Sequence, residues 1–405
     1  MKKILISAFA CQPNKGSEFN INWNWAVGLA RLGYEVHCLT LRTNRPAIEE
    51  VEVPENLHFE YVELPFGLQA IHEISEGFLY LHYIMWQWHA YQRAKKLHKK
   101  LKFELVHHVG WGSIQLGSFL YKLDAPFIFG PAGGGQKAPE AFKDYFLGYW
   151  KSEVKRDKVT GWLTNYGPSC KKMLRNADTV IACNPESLQL VKDIGAKNVH
   201  LSMDHGLQDD FYPENFVAKT PVPGTLKLLW VGRFMPRKAV LLNLDVMIRL
   251  KKYPNITLTI VGDGEMKEDI IKKIKDNDLE STVKLTGMIP YSEVRNYYAT
   301  SDIFFFTSLR DSCPTQLTES MAFGLPILTL NLHGQGFVVN DETGIRCSVE
   351  TPEKTIDELE TAILDLYNNP EKVTKMSQAA YDFARRQTWS SRIGSLVKQH
   401  YPVQP

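Results

Sequence analysis

Short apolar runs alternate with amphipathic stretches along most of the chain. The first run, KILISAF, is followed by a stretch at 19–32 with apolar residues at helical spacing, and YEVHCLTL comes after Gly33. Further strand-length runs are HFEYVEL, FELVHHV, PFIFG and DTVIAC. Strands that alternate with helices are typical of βαβ units, so this part predicts a parallel, doubly wound sheet.

A second series of the same kind follows an aperiodic segment. Residues 208–225, QDDFYPENFVAKTPVPGT, are rich in proline and acidic residues, as linkers between domains are. Beyond them, runs such as LKLLWVGR and ITLTIVGDG again alternate with helical stretches. We therefore predict an α/β protein with two Rossmann-like doubly wound domains facing a central cleft. The first spans 1–207 and the second 226–384, and a final helix at about 385–405 is expected to pack back onto the first domain.

The composition indicates the broad class of protein but does not indicate a function. The chain has 405 residues, 44% of them hydrophobic and 23% charged, with a net charge of +2, which is typical of a globular protein. Its six cysteines form no Cys-x-x-Cys pair, which argues against a zinc knuckle and favours a reducing compartment. No run reaches the roughly 18 apolar residues of a membrane span, and the opening MKKILISAFACQ predicts a buried strand in preference to a signal peptide. We expect a cytoplasmic protein with no nucleic-acid partner.

The segment WVGRFMPRK, at 230–238, has the composition of a phosphate site. Gly232 ends a strand, and Arg233 and Lys238 lie in the loop that leads to a helix. A guanidinium, an ammonium and the free amides of a helix N-terminus together can bind a diphosphate. Taken alone, the segment is equally compatible with solvated basic residues in a loop.

The segment TSLRDSCPTQLTESMAFGLP, at 307–326, carries two carboxylates eight residues apart. Asp311 lies in a loop after a strand, and Glu319 lies on a helix that begins near Thr315. Both side chains can therefore face one cleft. The alternative is that Asp311 or Ser312 caps the helix while Glu319 lies on the surface.

These segments occur in a fixed order: Gly-Arg-x4-Lys, then Gly-Asp-Gly, then a strand ending in glycine, then the carboxylate-x7-Glu followed by Ser-Met-Ala-x-Gly-x-Pro. The combination resembles retaining glycosyltransferases of family 4, which have the GT-B fold. The resemblance extends over essentially the whole chain and is strongest over 228–346. The segment CQPNKGSEFNINWNWAVGLARLGYEV resembles in particular a subgroup associated with bacterial surface polysaccharide assembly.

The resemblance implies an activity. It is the transfer of a sugar, most simply a hexose, from a nucleotide diphosphate sugar to a glycan or lipid-linked saccharide acceptor. Retention and independence of metal ions are implied, with front-face attack and the departing phosphate taking the proton. The nucleotide sugar is a co-substrate, so no cofactor is expected. Two alternatives stay open: a GT-B-like protein that binds nucleotide sugars without turnover, and a nucleotide-sugar epimerase of similar fold.

The resemblance also implies site residues. Arg233 and Lys238 would hold the diphosphate, Glu319 would accept hydrogen bonds from the ribose, and the 311–315 loop would contact the donor sugar. The full donor-binding set is Gly16, Ser17, Gly232, Arg233, Lys238, Gly287, Met288, Asp311, Ser312, Cys313, Pro314, Thr315 and Glu319. Catalytic roles are expected for His108, Arg233, Lys238 and Asp311, and the acceptor side comprises Glu18, His107, Gly133 and Gly134.

Three of these assignments have specific limits. His108 is preferred to His107 for contact with the donor sugar because alternation along a strand sends the two rings to opposite faces. The stretch around Gly133 and Gly134 is equally explained by a tight turn. The family usually has Glu and a glycine-rich loop where this chain has Asp311, Ser312, Cys313 and Pro314, so the sugar's identity stays open.

Two further patterns are interpreted as structural. Asp276-Asn-Asp278 has the D-x-D spacing of metal-dependent transferases but lies in a charged helical run, so we interpret it as solvated surface. We also expect no buried D-x-D or histidine–carboxylate cluster that could hold a metal. Residues 76–102 mix aromatic and basic side chains, which favours core packing with solvated lysines over contact with the inner face of a membrane.

Overall fold

The computed structural model describes residues 1–13, 15–16, 18–65 and 76–404, which divide into two compact units. The N-terminal unit comprises Met1–Gly135, Lys158–Gly206 and Trp389–Pro405. The C-terminal unit comprises Gln136–Asp157 and Leu207–Thr388.

Each unit is built on a parallel sheet. Within the described residues, the N-terminal sheet has seven strands in the order β3-β2-β1-β4-β5-β6-β7, and the C-terminal sheet has six in the order β10-β9-β8-β11-β12-β13. The first seven strands are β1 Lys3–Ala8, β2 Glu35–Leu41, β3 Leu57–Val62, β4 Leu105–Gly110, β5 Phe127–Ala132, β6 Thr179–Ala182 and β7 Val199–Leu201. The others are β8 Leu226–Val231, β9 Ile256–Val261, β10 Val283–Gly287, β11 Ile303–Phe306, β12 Ile327–Leu330 and β13 Gly344–Cys347. The predicted fold class, two Rossmann-like α/β domains, is confirmed.

Helices follow most strands. In chain order those of the described residues are α1 Glu18–Arg31, α2 Arg45–Glu49, α3 Glu76–Leu101, α4 Trp150–Tyr166, α5 Cys170–Asn176, α6 Pro185–Ile194, α7 Val240–Arg249, α8 Lys267–Asp276, α9 Tyr291–Thr300, α10 Thr315–Ala322, α11 His333–Val338, α12 Pro352–Asn368, α13 Pro370–Arg385 and α14 Trp389–His400. Helix α6 shows how the local sequence defines an end. Asn184 caps it by accepting a hydrogen bond from the amide of Ser187 at 2.9 Å, and Gly195 ends it with φ +103°.

Alternation along the central strand explains why the N-terminal sheet is covered on both faces. In β1, Ile4 and Ile6 belong to a core shared with α1 and α14, whereas Leu5 belongs to a core shared with α3. A strand buried on both faces has to be apolar at every position, and residues 4–8 are all buried. The helix expected at the C-terminus is α14, which lies in the N-terminal unit.

The domain boundary expected from the sequence differs from the structure at residues 136–157. The sequence assigns them to the first domain, whereas their contacts lie in the C-terminal unit. Within that unit the Tyr145 hydroxyl donates to Asp245 Oδ2 at 2.9 Å, and Arg310 Nη2 donates to Glu153 Oε2 at 3.0 Å. Hydrogen bonds between segments so far apart in the chain produce no periodic pattern in the sequence, so the sequence could not predict them.

Helix α3 divides its aromatic residues between core and surface. Tyr83 and Trp86 are fully buried, as core packing predicts, whereas Phe78, Leu81 and Trp88 are more than two-fifths exposed. Among the helices of the described part, none combines the length and hydropathy that crossing a bilayer requires. Contact of this helix with a membrane surface stays the less favoured alternative, which these observations do not test.

Candidate functional site

The candidate site in the C-terminal unit lies where chain order reverses within the sheet. The chain runs outward from β8 through β9 to β10 and then returns to β11 on the other side of β8. In parallel sheets, ligands bind beyond the carboxyl ends of the strands at such a point. The predicted diphosphate loop follows β8, and the predicted sugar loop follows β11.

A buried ion pair joins these two loops. Lys238, at the end of the turn Pro236–Lys238, is 6% exposed, and its Nζ pairs with Asp311 Oδ2. Arg237 Nη1 lies 3.5 Å from the other carboxylate oxygen, and Lys238 Nζ lies 4.8 Å from the centre of the Phe306 ring. The loop after β11 is therefore attached to the loop after β8 through charge.

The pKa values of the pair reflect burial and mutual attraction. Burial lowers the pKa of Lys238, and the Asp311 carboxylate opposes that shift. Burial alone would raise the pKa of Asp311, but Lys238 and Arg237 outweigh it, so this pKa lies below its usual value. We expect an ionised pair at neutral pH.

This pairing couples two roles that the sequence treats as separate. The expected roles, Lys238 on the diphosphate and Asp311 on the sugar, stay predictions. In the structure a phosphate that binds Lys238 has to compete with Asp311, so a change at either residue affects both parts of the site.

Arg233 is the exposed cation of the same loop. Its side chain is 71% exposed, and its Nη2 lies 3.7 Å from Glu265 Oε2. An exposed ion pair at this distance contributes little, so the guanidinium can reorient toward an anion at low cost. Gly232, which precedes it, lies against Trp230, whose ring would be 3.1 Å from an added Cβ.

Glu319 is held by two tyrosines. It lies on α10 and is 9% exposed, so the alternative that it belongs to the surface is wrong. The hydroxyl of Tyr291 donates to Oε1 at 2.9 Å, and that of Tyr298 donates to Oε2 at 3.0 Å. Burial and the nearby carboxylate raise the pKa of both tyrosines, so both hydroxyls stay protonated.

The loop at 311–315 packs closely against α11. A Cβ at Gly334 would lie 1.8 Å from the Ser312 carbonyl oxygen, so only glycine allows this approach. Cys313 is 8% exposed. The residue that caps α10 is Pro314, and Thr315 begins the helix, so neither Asp311 nor Ser312 is its cap.

A third loop follows β10 at the same edge of the sheet. Gly287 has φ +74°, and a Cβ there would meet nothing within 4 Å. Met288 is 80% exposed. Both predicted donor-binding residues therefore border open space in this unit.

The two histidines of β4 point to opposite faces of the N-terminal sheet, as strand alternation predicts. His107 lies within 2.6 Å of both the Tyr401 hydroxyl and the Gly130 carbonyl oxygen. Burial lowers its pKa to about 4, so it is neutral at pH 7. These contacts fit a residue that joins the sheet to the C-terminal segment.

His108 lies in the other core. Its Nε2 is 3.2 Å from the Tyr83 hydroxyl, and its ring stacks on Phe129 with centroids 5.0 Å apart. It is 1% exposed, and burial lowers its pKa to about 3. A ring so enclosed cannot reach a donor sugar in this conformation, so contact with the sugar stays a prediction that the geometry does not support.

Glu18 begins α1 beside the loop after β4. Its Oε1 accepts a hydrogen bond from the Gly112 amide at 3.1 Å. Its pKa is raised to about 7, mainly by burial, while the Gly112 amide opposes the shift and the Asp204 carboxylate adds a smaller rise. Gly16 has nothing within 4 Å of an added Cβ, and Ser17 lies outside the described residues.

Gly133 and Gly134 have structural partners. The Gly133 amide donates to the Gly112 carbonyl at 2.8 Å, and the Gly134 amide donates to Ser187 Oγ at 2.8 Å. An added Cβ at Gly134 would lie 2.6 Å from Gln115 Nε2. These contacts favour the tight-turn interpretation over direct binding of an acceptor.

Sequence reasoning missed three side chains of the site. Arg237 precedes Lys238 in the basic turn, and this position next to a predicted site lysine is the sequence signal that could have identified it. Tyr291 and Tyr298 are seven residues apart on α9, which is two helical turns, and that spacing places both on one face. The D-x-D residues Asp276 and Asp278 are surface groups as expected, with side chains 54% and 87% exposed.

Two family models match the chain. Residues 22–203 match the glycosyl transferase 4-like domain, and residues 213–383 match glycosyl transferases group 1. Among curated proteins, an uncharacterized glycosyltransferase of Haemophilus influenzae is 33% identical over 169 residues, which cover 41% of this chain and 45% of that protein. The matched part thus spans about half the length of the relative.

Solved structures agree over almost the whole chain. Sucrose-phosphate synthase from Thermosynechococcus elongatus has a TM-score of 0.71 at 18% identity, covering 98% of this chain and 99% of that one. The Anabaena protein HepE, in complex with UDP and glucose, has a TM-score of 0.59 at 14% identity and covers 100% of both chains. At such identities the likeness concerns the fold.

Fold and site together define a protein of two Rossmann-like domains with an ionic cluster at the carboxyl ends of the second sheet. The two family models and the glycosyltransferase relative place the chain more narrowly: it belongs to the glycosyltransferases with the GT-B fold.

Proposed function

We propose that this protein transfers a sugar, most simply a hexose, from a nucleoside diphosphate sugar to a glycan or lipid-linked saccharide. We further propose that the anomeric configuration is retained and that no metal ion takes part in the chemistry. The observation that carries the proposal is the cluster of Arg233, Lys238, Asp311 and Glu319 beyond β8 and β11. It lies in the part of the chain that matches glycosyl transferases group 1. The complex of HepE with UDP and glucose supports a nucleotide sugar as the ligand.

The two cations suit the diphosphate. Lys238 is a fixed charge in a buried position, and Arg233 is an exposed guanidinium that can form a bidentate contact with phosphate. The same contacts become stronger as the bond to the anomeric carbon breaks, because negative charge then develops on the leaving diphosphate. A divalent metal would supply the same stabilisation in other enzymes, and here two side chains provide it.

Glu319 suits the ribose. A carboxylate offers about four acceptor positions, so it can accept from ribose hydroxyls beside the hydrogen bonds from Tyr291 and Tyr298. The tyrosines hold the carboxylate in one orientation, which lowers the entropy cost of binding.

Asp311 has a separate part in the proposal. It belongs to the loop at 311–315 and pairs with Lys238, so it can hydrogen-bond a sugar hydroxyl when phosphate draws Lys238 away. The acceptor hydroxyl then attacks on the face from which the diphosphate leaves, and the departing phosphate oxygen takes its proton. No side chain of the protein is required as a nucleophile.

The test is turnover of a panel of donors. Purified protein is incubated with UDP-, GDP- and ADP-sugars without acceptor, and release of nucleoside diphosphate and sugar is followed by chromatography. We expect slow hydrolysis of one donor class, and Lys238→Met and Arg233→Ala to lower it at least tenfold. Lys251→Ala is the matched control, because Lys251 is an exposed lysine paired with Asp278 outside the cluster.

Other outcomes separate the alternatives. Binding of a donor without any release would favour a non-catalytic protein, and release of an altered sugar or glycal would favour an epimerase. If transfer to an added saccharide inverts the anomeric configuration, as seen by NMR of the product, the proposal of retention is wrong.

A further inference from the structure

Two neighbouring strands at the edge of the N-terminal sheet each carry a histidine and a glutamate two residues apart. Strand β2 begins Glu-Val-His and strand β3 continues His-Phe-Glu after its first residue. The parallel register pairs His37 with His58, so these two side chains lie on the same face of the sheet. Glu35 and Glu60 lie two residues away on their own strands and share that face.

The ligand-type atoms of three of these side chains lie close together. Glu35, His37 and His58 each offer one ligand atom, and the three atoms lie within 4.8 Å of one another. His37 Nε2 is 3.6 Å from Glu35 Oε1, and the two imidazole rings have centroids 4.9 Å apart. The sequence did not predict this cluster, because its residues are distant in sequence and become neighbours only through strand pairing.

The surroundings of His37 suit a metal ligand. It is 7% exposed, and its Nε2 is buried with no hydrogen-bond partner in the structure. Its Nδ1 lies 3.4 Å from Glu60 Oε1, and Glu60 is held by Arg93 at 2.7 Å. A histidine that donates through one nitrogen to a carboxylate presents the lone pair of the other nitrogen, which is the usual arrangement around bound zinc.

We propose that Glu35, His37 and His58 bind a divalent metal ion, with zinc as the preferred ion and water as the fourth ligand. Two imidazoles and one carboxylate suit zinc, and bond lengths of about 2.0–2.2 Å place tetrahedral ligand atoms about 3.3–3.5 Å apart. Because the ligand atoms lie within 4.8 Å of one another, the cluster has to contract by no more than about 1.5 Å. His58 is exposed, so its ring can rotate to close that gap.

Two neighbouring cations set the conditions for binding. Lys3 Nζ lies 3.2 Å from Glu35 Oε1, and the ammonium has to leave when the metal binds. Its side chain is 37% exposed, so it can turn into solvent. Arg93 stays on Glu60, behind His37.

The site is separate from the proposed chemistry. Glu35, His37 and His58 lie at the amino ends of β2 and β3, whereas the loops around Glu18 and Gly112 lie at the carboxyl ends of the same sheet. A metal here would join two strands at the sheet edge and stabilise the N-terminal unit. It would not contact a nucleotide, and the inference does not depend on the proposed function.

The test uses the full chain freed of metal with a chelator. Zinc is titrated by competition with a chromophoric chelator, and cobalt is added separately to follow the visible absorption of a four-coordinate site. We expect one ion per chain, and His58→Ala and Glu35→Gln to weaken binding at least tenfold. His89→Ala, on α3, is the control and should bind as the parent does. His58 is exposed, so its variant should fold, and circular dichroism checks that it does.

Two results of this experiment would reject the proposed metal site. Equal zinc affinity in the parent and in His58→Ala would overturn the proposal, because the ion would then bind elsewhere. The pair His200 and His400, with ring centroids 4.0 Å apart, is the obvious competitor. Loss of binding in His200→Ala but not in Glu35→Gln would likewise reject the site on β2 and β3.

Discussion

Removing both partners of the Lys238–Asp311 pair should cost less stability than the two single removals added together. Asp311→Asn leaves the buried ammonium of Lys238 beside Arg237 with no carboxylate between them. Breaking a buried pair from one side costs about 3–5 kcal/mol, and we expect this variant to lie in that range. Lys238→Met should cost less, about 1–3 kcal/mol, because Asp311 keeps Arg237 at 3.5 Å.

The double variant measures the coupling free energy between the two charges. If the two charges depend on each other, Lys238→Met with Asp311→Asn costs less than the two single changes added together, by about 1–3 kcal/mol. Urea unfolding followed by circular dichroism measures each cost, and hydrogen exchange of peptides from β8 and β11 assigns the loss to the C-terminal unit. Two small and additive costs, each under about 0.5 kcal/mol, would refute a buried and coupled pair.

The same variants report on ligand binding. Asp311→Asn frees Lys238 for phosphate, so affinity for a free nucleoside diphosphate should be unchanged or tighter while turnover falls. Lys238→Met should lower both. Calorimetry and initial rates on the two variants separate these effects, and weaker nucleotide binding in Asp311→Asn would contradict the competition between carboxylate and phosphate.

The remaining predictions concern the ribose contact, the metal and the pH dependence. Glu319→Gln should weaken the binding of free nucleotide and of donor alike by about 10- to 150-fold, because a charged hydrogen bond contributes roughly 1.5–3 kcal/mol. Calorimetry with both ligands tests this, and a loss of affinity confined to the donor would contradict the ribose assignment. EDTA should leave turnover within about twofold even where it lowers the melting temperature, and an absolute need for added magnesium or manganese would reject the proposed mechanism. Glu18 has its pKa raised from 4.5 to about 7 by burial, so its contribution to stability is fully present below pH 4.5 and is lost as pH rises toward 7, by at most about 3 kcal/mol. Glu18→Gln should therefore melt higher than the parent at pH 8 and equally at pH 4.5, and a melting difference independent of pH would contradict the raised pKa.

Patterns close together in the sequence predicted the fold well. Buried strands such as β1 and β11 are apolar at nearly every position, and their alternation with helices indicated two doubly wound sheets. The eight-residue spacing also placed Asp311 and Glu319 on a loop and on the following helix, as the structure has them. These features depend on local periodicity and on the known behaviour of parallel sheets.

Contacts between distant segments could not be predicted. Lys238 and Asp311 are 73 residues apart, and nothing in either loop indicates that one neutralises the other. The burial of His108 depends on Tyr83 and Phe129, which come from different elements. The facing histidines of β2 and β3 required the register of the two strands, and strand register is a property of the folded sheet.

The most direct test of the central claim is a hydrogen–deuterium exchange footprint of the bound nucleotide. The protein is saturated in turn with UDP, GDP and ADP, and amide protection is compared with that of the free chain. We expect one nucleotide to protect residues 230–238 and 308–319 and to leave the D-x-D segment 276–278 unchanged. Protection centred on 276–278, or protection by none of the three nucleotides, would contradict a nucleoside diphosphate site beyond β8 and β11.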